Sequence, residues 1–410
     1  MRSLLVKLDA LVTIQRVSTY SAFLLTGYAL GFLWLLVSNR GGLDPRGVPL
    51  GADFIIFYTA SHLALTGNAS LAYVNVAFLA AERTVVPASR GLFLWAYPPT
   101  FQLVVSPLAL APYRAALAVW SGLGLSAYLA VIRALSKDRR AWLLALAFPG
   151  VFMNLSQGQA GFLTIALMGG GLIMLDRRPS LAGALLGLLV VKPHFGILLP
   201  LLLVASNRWR AIAGATASAA GLCLAATAAF GLSTWNAFTL AGGGAWKSLT
   251  TGALPIYKVP SAFAALLRMG APWQIALAIH GGLAIVAIWL VVRAWRLTGS
   301  MHIKAGLAIL ATLIVLPYAF DYDLTLLAIP IGVGLKAVLE REAVPGVRIV
   351  LVLLAVTPIL CGPINHYLFV PFGPLALWCG LVALLNLMRD RDGMTTKAAD
   401  KGVELTSRPC

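Results

Sequence analysis

Carboxylates are scarce in this chain, with 14 Asp and Glu among 410 residues, so each can be weighed singly. Asp53 stands in Gly51-Ala52-Asp53-Phe54-Ile55-Ile56-Phe57-Tyr58 and opens an amphipathic helical segment over 53–65. A carboxylate in that place can take a proton from a hydroxyl. It can equally serve as an N-cap or first-turn acid favoured by the helix dipole. Asp321 and Asp323 flank Tyr322; paired carboxylates bind sugar-like hydroxyls or a divalent cation, and Asp323 also suits a cap for the helix that follows. Gln157 and Gln159 flank Gly158, and amides offer hydroxyls both a donor and an acceptor, as they do a turn. Lys192-Pro193-His194 lies between two apolar runs. A Lys at that depth is a functional candidate by default, with a snorkelling Lys at a span end as the plain alternative. Tyr257-Lys258 offers an aromatic face and an ammonium; Trp235 and Trp246 read as interfacial anchors. His280 and His302 read as structural. No HExxH, P-loop or GxGxxG pattern is convincing, and the 4 cysteines form no CxxC pair, so no metal site is expected.

Elements must hold these groups, and composition says which kind. The chain is 60% hydrophobic and 11% charged, with a mean hydropathy of +0.88, against about 25% charged in soluble domains. A soluble fold of this length cannot hide so much apolar surface. A soluble enzyme, a disordered chain and a secreted disulfide scaffold are thereby excluded. The expectation is an all-α polytopic membrane protein of about twelve spans, near 20–37, 113–135, 141–154, 161–175, 180–191, 195–206, 209–230, 273–293, 303–319, 322–338, 347–361 and 368–388. The net charge of +17 then reads as Lys and Arg in cytoplasmic loops, not as a nucleic-acid surface. That bias places both termini in the cytoplasm. It makes 100–111 interfacial or re-entrant, since a full span there would flip every later loop. One membrane domain over 1–388 is expected. It has a long outer loop at 39–112 carrying interfacial helices, with Phe54, Phe57, Tyr58 and Leu65 free to lie on the bilayer surface, and a second outer loop at 231–272. Residues 389–410 form a charged cytoplasmic tail expected to be disordered. On this topology Asp44, Asp53, Glu82, Asp321 and Asp323 alone among the acids face outward.

Asp53-Phe54 with Tyr58, Ala60, Leu63, Gly67 and Tyr73 resembles the first-loop signature of a bacterial membrane family. Tyr97-Pro98-Pro99-Thr100 with Pro107-Leu108 and Trp120 resembles it too, as do Gln157-Gly158-Gln159, Lys192-Pro193 and Asp321-Tyr322-Asp323. The family is the polyprenol-phosphate-mannose-dependent alpha-mannosyltransferases, glycosyltransferase family 87, with the multi-span GT-C fold. The resemblance implies transfer of a sugar, with mannose inherited from the family, from a polyprenyl-phosphate donor to a lipid or glycan acceptor. It places the reaction on the outer, periplasmic face of the inner membrane. It implies Asp53 as the general base, with an unperturbed pKa near 3.9, and one carboxylate fits inversion by single displacement. With such a donor, the chemistry of the residues makes Lys192, Lys258 and His194 candidates for its phosphate, His194 reading equally as a satisfied interfacial histidine, and makes Tyr58, Tyr97, Gln157, Gln159, Asp321 and Tyr257 candidates for the substrates. No cofactor and no nucleic-acid partner are expected, and a divalent-cation requirement stays open. A secondary transporter or flippase of lipid-linked glycans is the alternative.

Overall fold

The computed structural model describes residues 2–39, 42–87, 89, 94–251, 254–340 and 344–406. Among them no strand forms, and one isolated bridge pairs Leu43 with Pro49. The α-helices in chain order are α1 (Arg2–Leu11), α2 (Ile14–Ser38), α3 (Phe54–Leu65), α4 (Asn75–Val85), α5 (Pro99–Val105) and α6 (Tyr113–Leu135). There follow α7 (Arg139–Ala147), α8 (Pro149–Gln157), α9 (Gly161–Met174), α10 (Pro179–Gly187), α11 (Leu199–Ala205) and α12 (Trp209–Thr250). The last are α13 (Ala262–Arg268), α14 (Trp273–Arg296), α15 (Met301–Val315), α16 (Ala328–Glu340), α17 (Val347–Pro363) and α18 (Phe372–Thr406).

Seven described helical stretches are long and apolar enough to cross a membrane: Ile14–Ser38, Tyr113–Leu135, Trp209–Thr250, Trp273–Arg296, Asp321–Leu339, Val347–Leu368 and Phe372–Arg389. Six apolar stretches are shorter, Phe54–Leu65, Pro99–Leu110, Gly161–Met174, Pro179–Val191, Pro193–Ala205 and Met301–Val315. The chain is therefore an all-α polytopic membrane protein. Large apolar side chains of α2 and α12, among them Phe23, Leu33, Val37, Leu224 and Leu240, lie exposed, as lipid-facing surfaces do. At the centre stands α15, buried on every side from Ile303 to Ile314 and packed by α9, α14, α16 and α18. A helix apolar all round belongs in such a place. Its one cation, Lys304, donates to the carbonyls of Trp295 at 3.1 Å and Leu297 at 2.5 Å, so the end of α14 satisfies it.

Four expectations change. The helix over 53–65 does not rest on a bilayer surface: Phe54 and Phe57 are fully buried. The Phe57 ring meets Tyr97, Phe101 and Trp120 at 5.2–5.5 Å, and this aromatic cluster captures the apolar face of α3. The span near 141–154 is two helices, because Phe148 turns extended ahead of Pro149. Much of the stretch over 231–272, expected as a loop, is helical, since α12 continues through a kink at Gly231 (φ 75°, ψ 169°) to Thr250. Phe238 on Tyr73 and Trp246 on Phe263 and Trp273 hold that extension. Finally, the charged tail is helical to Thr406, and 407–410 lie outside the described residues.

Candidate active site

Short helices end where the polar residues gather. The end of α8, the start of α9, the 3₁₀ turn Pro193–Gly196, the 3₁₀ segment Asp321–Leu327 and the entry to α3 supply the side chains. Broken helices inside a membrane protein are tolerated where they line a protein-enclosed site.

Asp53 occupies the N-cap position of α3, yet its side chain makes no capping hydrogen bond. Its Oδ2 accepts from Gln159 Nε2 at 2.8 Å instead, across 106 residues of sequence. The Gln159 amide is fixed in that sense, since its Oε1 accepts from the Tyr97 hydroxyl and from the Ala160 N–H, each at 3.2 Å. The turn carrying Gln159 sits directly on the Asp53 segment. Gly158 has φ +59°, and a Cβ there would meet Phe54 Cβ at 2.6 Å. Only glycine satisfies both demands. Ala52, just before Asp53, is held at φ +38°, a strained conformation for a residue with a side chain.

Burial pushes the Asp53 carboxyl above the usual carboxylate range; the Gln159 bond and the charges of Lys258 and Lys192 oppose it. The unperturbed value expected from sequence is thus corrected upward, which makes Asp53 a better proton acceptor. Burial likewise raises the Tyr97 hydroxyl, so it donates as a neutral phenol.

Lys192, expected at the donor phosphate, is engaged by a carboxylate of its own chain. Its Nζ pairs with Asp323 Oδ1 at 2.7 Å, with both side chains only 4% exposed. The ammonium also lies 5.8, 5.3 and 5.5 Å from the ring centres of Tyr97, Phe195 and Tyr322. Asp323 does act at a helix entry as well, its Oδ2 accepting from the Phe320 N–H at 3.1 Å. His194 stacks on Tyr318 at 5.5 Å, and burial, aided by the Lys192 charge, holds its imidazole down at about 4. It is therefore neutral and offers a hydrogen bond, not a charge. Lys258 is half-buried, and among the described residues no hydrogen bond or ion pair engages its ammonium. Its charge acts on both Asp53 and Asp321. The turn bearing it is held by Asn365 Nδ2 donating to the Tyr257 carbonyl at 3.2 Å, and by the His366 ring 4.8 Å from that of Tyr257.

Asp321 is buried, accepts from the Tyr322 N–H at 2.9 Å and faces the half-buried Gln157. Tyr58 points elsewhere: its hydroxyl donates to the Ala111 carbonyl at 2.9 Å and its ring packs on Phe54 and Tyr113. The structure thus brings Asp53, Gln159, Tyr97, Gln157, Asp321 and Lys258 together, sets Lys192 behind them, and gives Tyr58 a packing contact. Sequence reasoning missed Tyr318, Tyr322 and Phe195 as the aromatic surround, because isolated aromatics in an apolar chain carry no distinguishing signal.

The model of glycosyltransferase family 87 matches residues 95–317, more than half of the chain. The chain belongs to glycosyltransferase family 87. No curated protein and no solved structure matches it. The family segment contains Tyr97, Gln157, Gln159, Lys192, His194, Tyr257 and Lys258, and stops short of Asp53, Asp321 and Asp323. The 2.8 Å bond from Gln159 is therefore what ties Asp53 to the family segment. As a family 87 member, the protein is a membrane glycosyltransferase acting between a sugar donor and an acceptor.

Proposed function

We propose that the protein transfers a sugar, mannose in the first instance, from a polyprenyl-phosphate donor to a hydroxyl of a lipid or glycan acceptor at the outer face of the inner membrane. Asp53 takes the acceptor proton as that oxygen bonds the anomeric carbon. The bond from that carbon to the phosphate oxygen breaks, and the polyprenyl phosphate leaves with the electron pair. One half-buried carboxylate serves as base and Asp321 is buried against its own backbone, so a single displacement with inversion follows. Lys258, unpaired beside both carboxylates, meets the charge growing on the leaving phosphate. Gln157, Tyr257 and the His194 ring offer hydrogen bonds and a stacking face to the sugar and the phosphate. Twelve spans with both termini in the cytoplasm complete the reading: the seven long apolar stretches, with the broken helix over 141–154 and the runs near 161–175, 180–191, 195–206 and 303–319 supplying the other five. Membership in a glycosyltransferase family favours transfer over the alternative of lipid-glycan transport.

The observation that carries this reading is that Asp53 caps no helix and instead accepts from Gln159 within the family segment. Its test is transfer by purified protein from polyprenyl-phosphate mannose to a labelled acceptor. Asp53→Asn is expected to lose at least about a hundredfold in turnover while melting normally. Undiminished turnover in that variant would sink the general-base role.

A further inference from the structure

Lys192 and Asp323 form an ion pair with both side chains only 4% exposed, and it abuts the residues that hold Asp53. The ammonium lies over Tyr97, Phe195 and Tyr322, three rings from three separate segments, and Asp323 anchors it at 2.7 Å. Asp323 is itself fixed by the Phe320 N–H. Tyr97 in turn donates to Gln159 Oε1, and Gln159 donates to Asp53. A continuous chain of contacts therefore runs from the pair to the carboxylate. A desolvated cation over an aromatic face resists displacement of either partner, and an amide that loses one of its two fixing donors is freer to turn.

We propose that Lys192 and Asp323 are positioning residues for Asp53, acting through Tyr97 and Gln159 and making no contact with donor or acceptor. The proposal rests on the role given to Asp53 above. It makes Lys192 part of the scaffold behind the base and leaves Lys258 to meet the phosphate.

The test uses the full chain with polyprenyl-phosphate mannose and a labelled acceptor. Lys192→Met is expected to lower kcat at least about tenfold, the scale of a misplaced catalytic group, with donor KM held within about twofold. The acid limb of kcat/KM should also move to higher pH, because a charge favouring the carboxylate is lost. The apolar double variant Lys192→Met/Asp323→Leu removes the charges together and should fold, yet keep the low kcat and the moved limb. Tyr97→Phe preserves ring and pair, removes the hydroxyl, and should show the same two changes more weakly. A rise in donor KM alone in Lys192→Met would assign phosphate contact and overturn the proposal. Wild-type kcat and pH limb in the double variant, or unchanged kinetics in Tyr97→Phe, would equally overturn it. Full turnover in Asp53→Asn would remove the base itself; loss of turnover there with wild-type kcat in Lys192→Met removes only the positioning role.

Discussion

Asp53 shows how one side chain is tuned by what surrounds it. Burial raises its pKa, while Gln159, Lys258 and Lys192 pull it down. In the proposed role Asp53 works ionised, so kcat/KM is expected to fall on acidification from a pH above the ordinary carboxylate range, which a pH–rate profile measures. Gln159→Leu removes the largest opposing influence and should carry that acid limb further upward. The stability consequence has a fixed sign. As pH rises through the unfolded-state value, the unfolded chain releases the proton first, and the fold loses stability until the folded carboxyl also ionises. Asp53→Asn is therefore expected to melt no lower than the native chain at neutral pH while losing transfer, a separation that thermal unfolding and turnover read independently. Asp53 was legible because acids are so few. The pairing of Lys192 was not, because its partner Asp323 lies 131 residues away and nothing local distinguishes a paired Lys from a free one.

Helices were more legible than their ends. The helices at 113–135 and 161–174 stand where hydropathy puts them, since their apolar faces decide both formation and burial. The arm of α12 beyond Gly231 escaped because its Gly242-Gly243-Gly244 run reads as a loop, whereas aromatic contacts to α13, α14 and Tyr73 support it as a helix. Gly231 itself has φ 75° and ψ 169°, with nothing closer to a Cβ than Ser233 Oγ at 3.8 Å. Space is not the obstacle there; the backbone conformation is. Gly231→Ala is expected to lower stability by about 1–3 kcal/mol, the range for strained backbone, as measured by unfolding. In α4, Glu82 is 2% exposed with Oε1 unpartnered, and burial raises its pKa from 4.5 to about 8 against the nearby Arg83 charge. Between those values only the unfolded state ionises, so stability should decline as pH rises from about 4.5 to about 8. Glu82→Gln is expected to flatten that decline in melting temperature against pH, and an unchanged slope would show that Glu82 ionises freely in the fold.

At the scale of the molecule, one buried contact constrains the path through the membrane. Asp9, in α1, accepts from the Gly346 N–H at 2.7 Å and the Ile349 N–H at 3.2 Å, capping the start of α17. Arg348 returns the contact by donating to the Val12 carbonyl at 3.4 Å. The start of the chain and the start of α17 therefore share a side, and the chain between them crosses an even number of times. Five of the seven long apolar stretches lie between, from Ile14–Ser38 to Asp321–Leu339. An odd number of further crossings must therefore lie between them, and the twelve-span reading supplies five, near 141–154, 161–175, 180–191, 195–206 and 303–319. The proposed orientation rests on charge: Lys and Arg cluster beside Asp9 and along 133–140, 177–178 and 208–210, and such clusters favour the cytoplasmic side. The same proposed orientation puts Asn68, exposed in the segment between α2 and α6, on the outer side with Asp53. A cysteine at Asn68 in a background without the native cysteines is expected to react with an impermeant thiol reagent in intact cells. A cysteine at Lys137, exposed between α6 and α7, should react only after the membrane is opened. The reverse pattern would turn the site toward the cytoplasm and remove the outer-face reaction. Equal reaction of both before opening would put positions 68 and 137 on one side and exclude the single crossing by Tyr113–Leu135 between them.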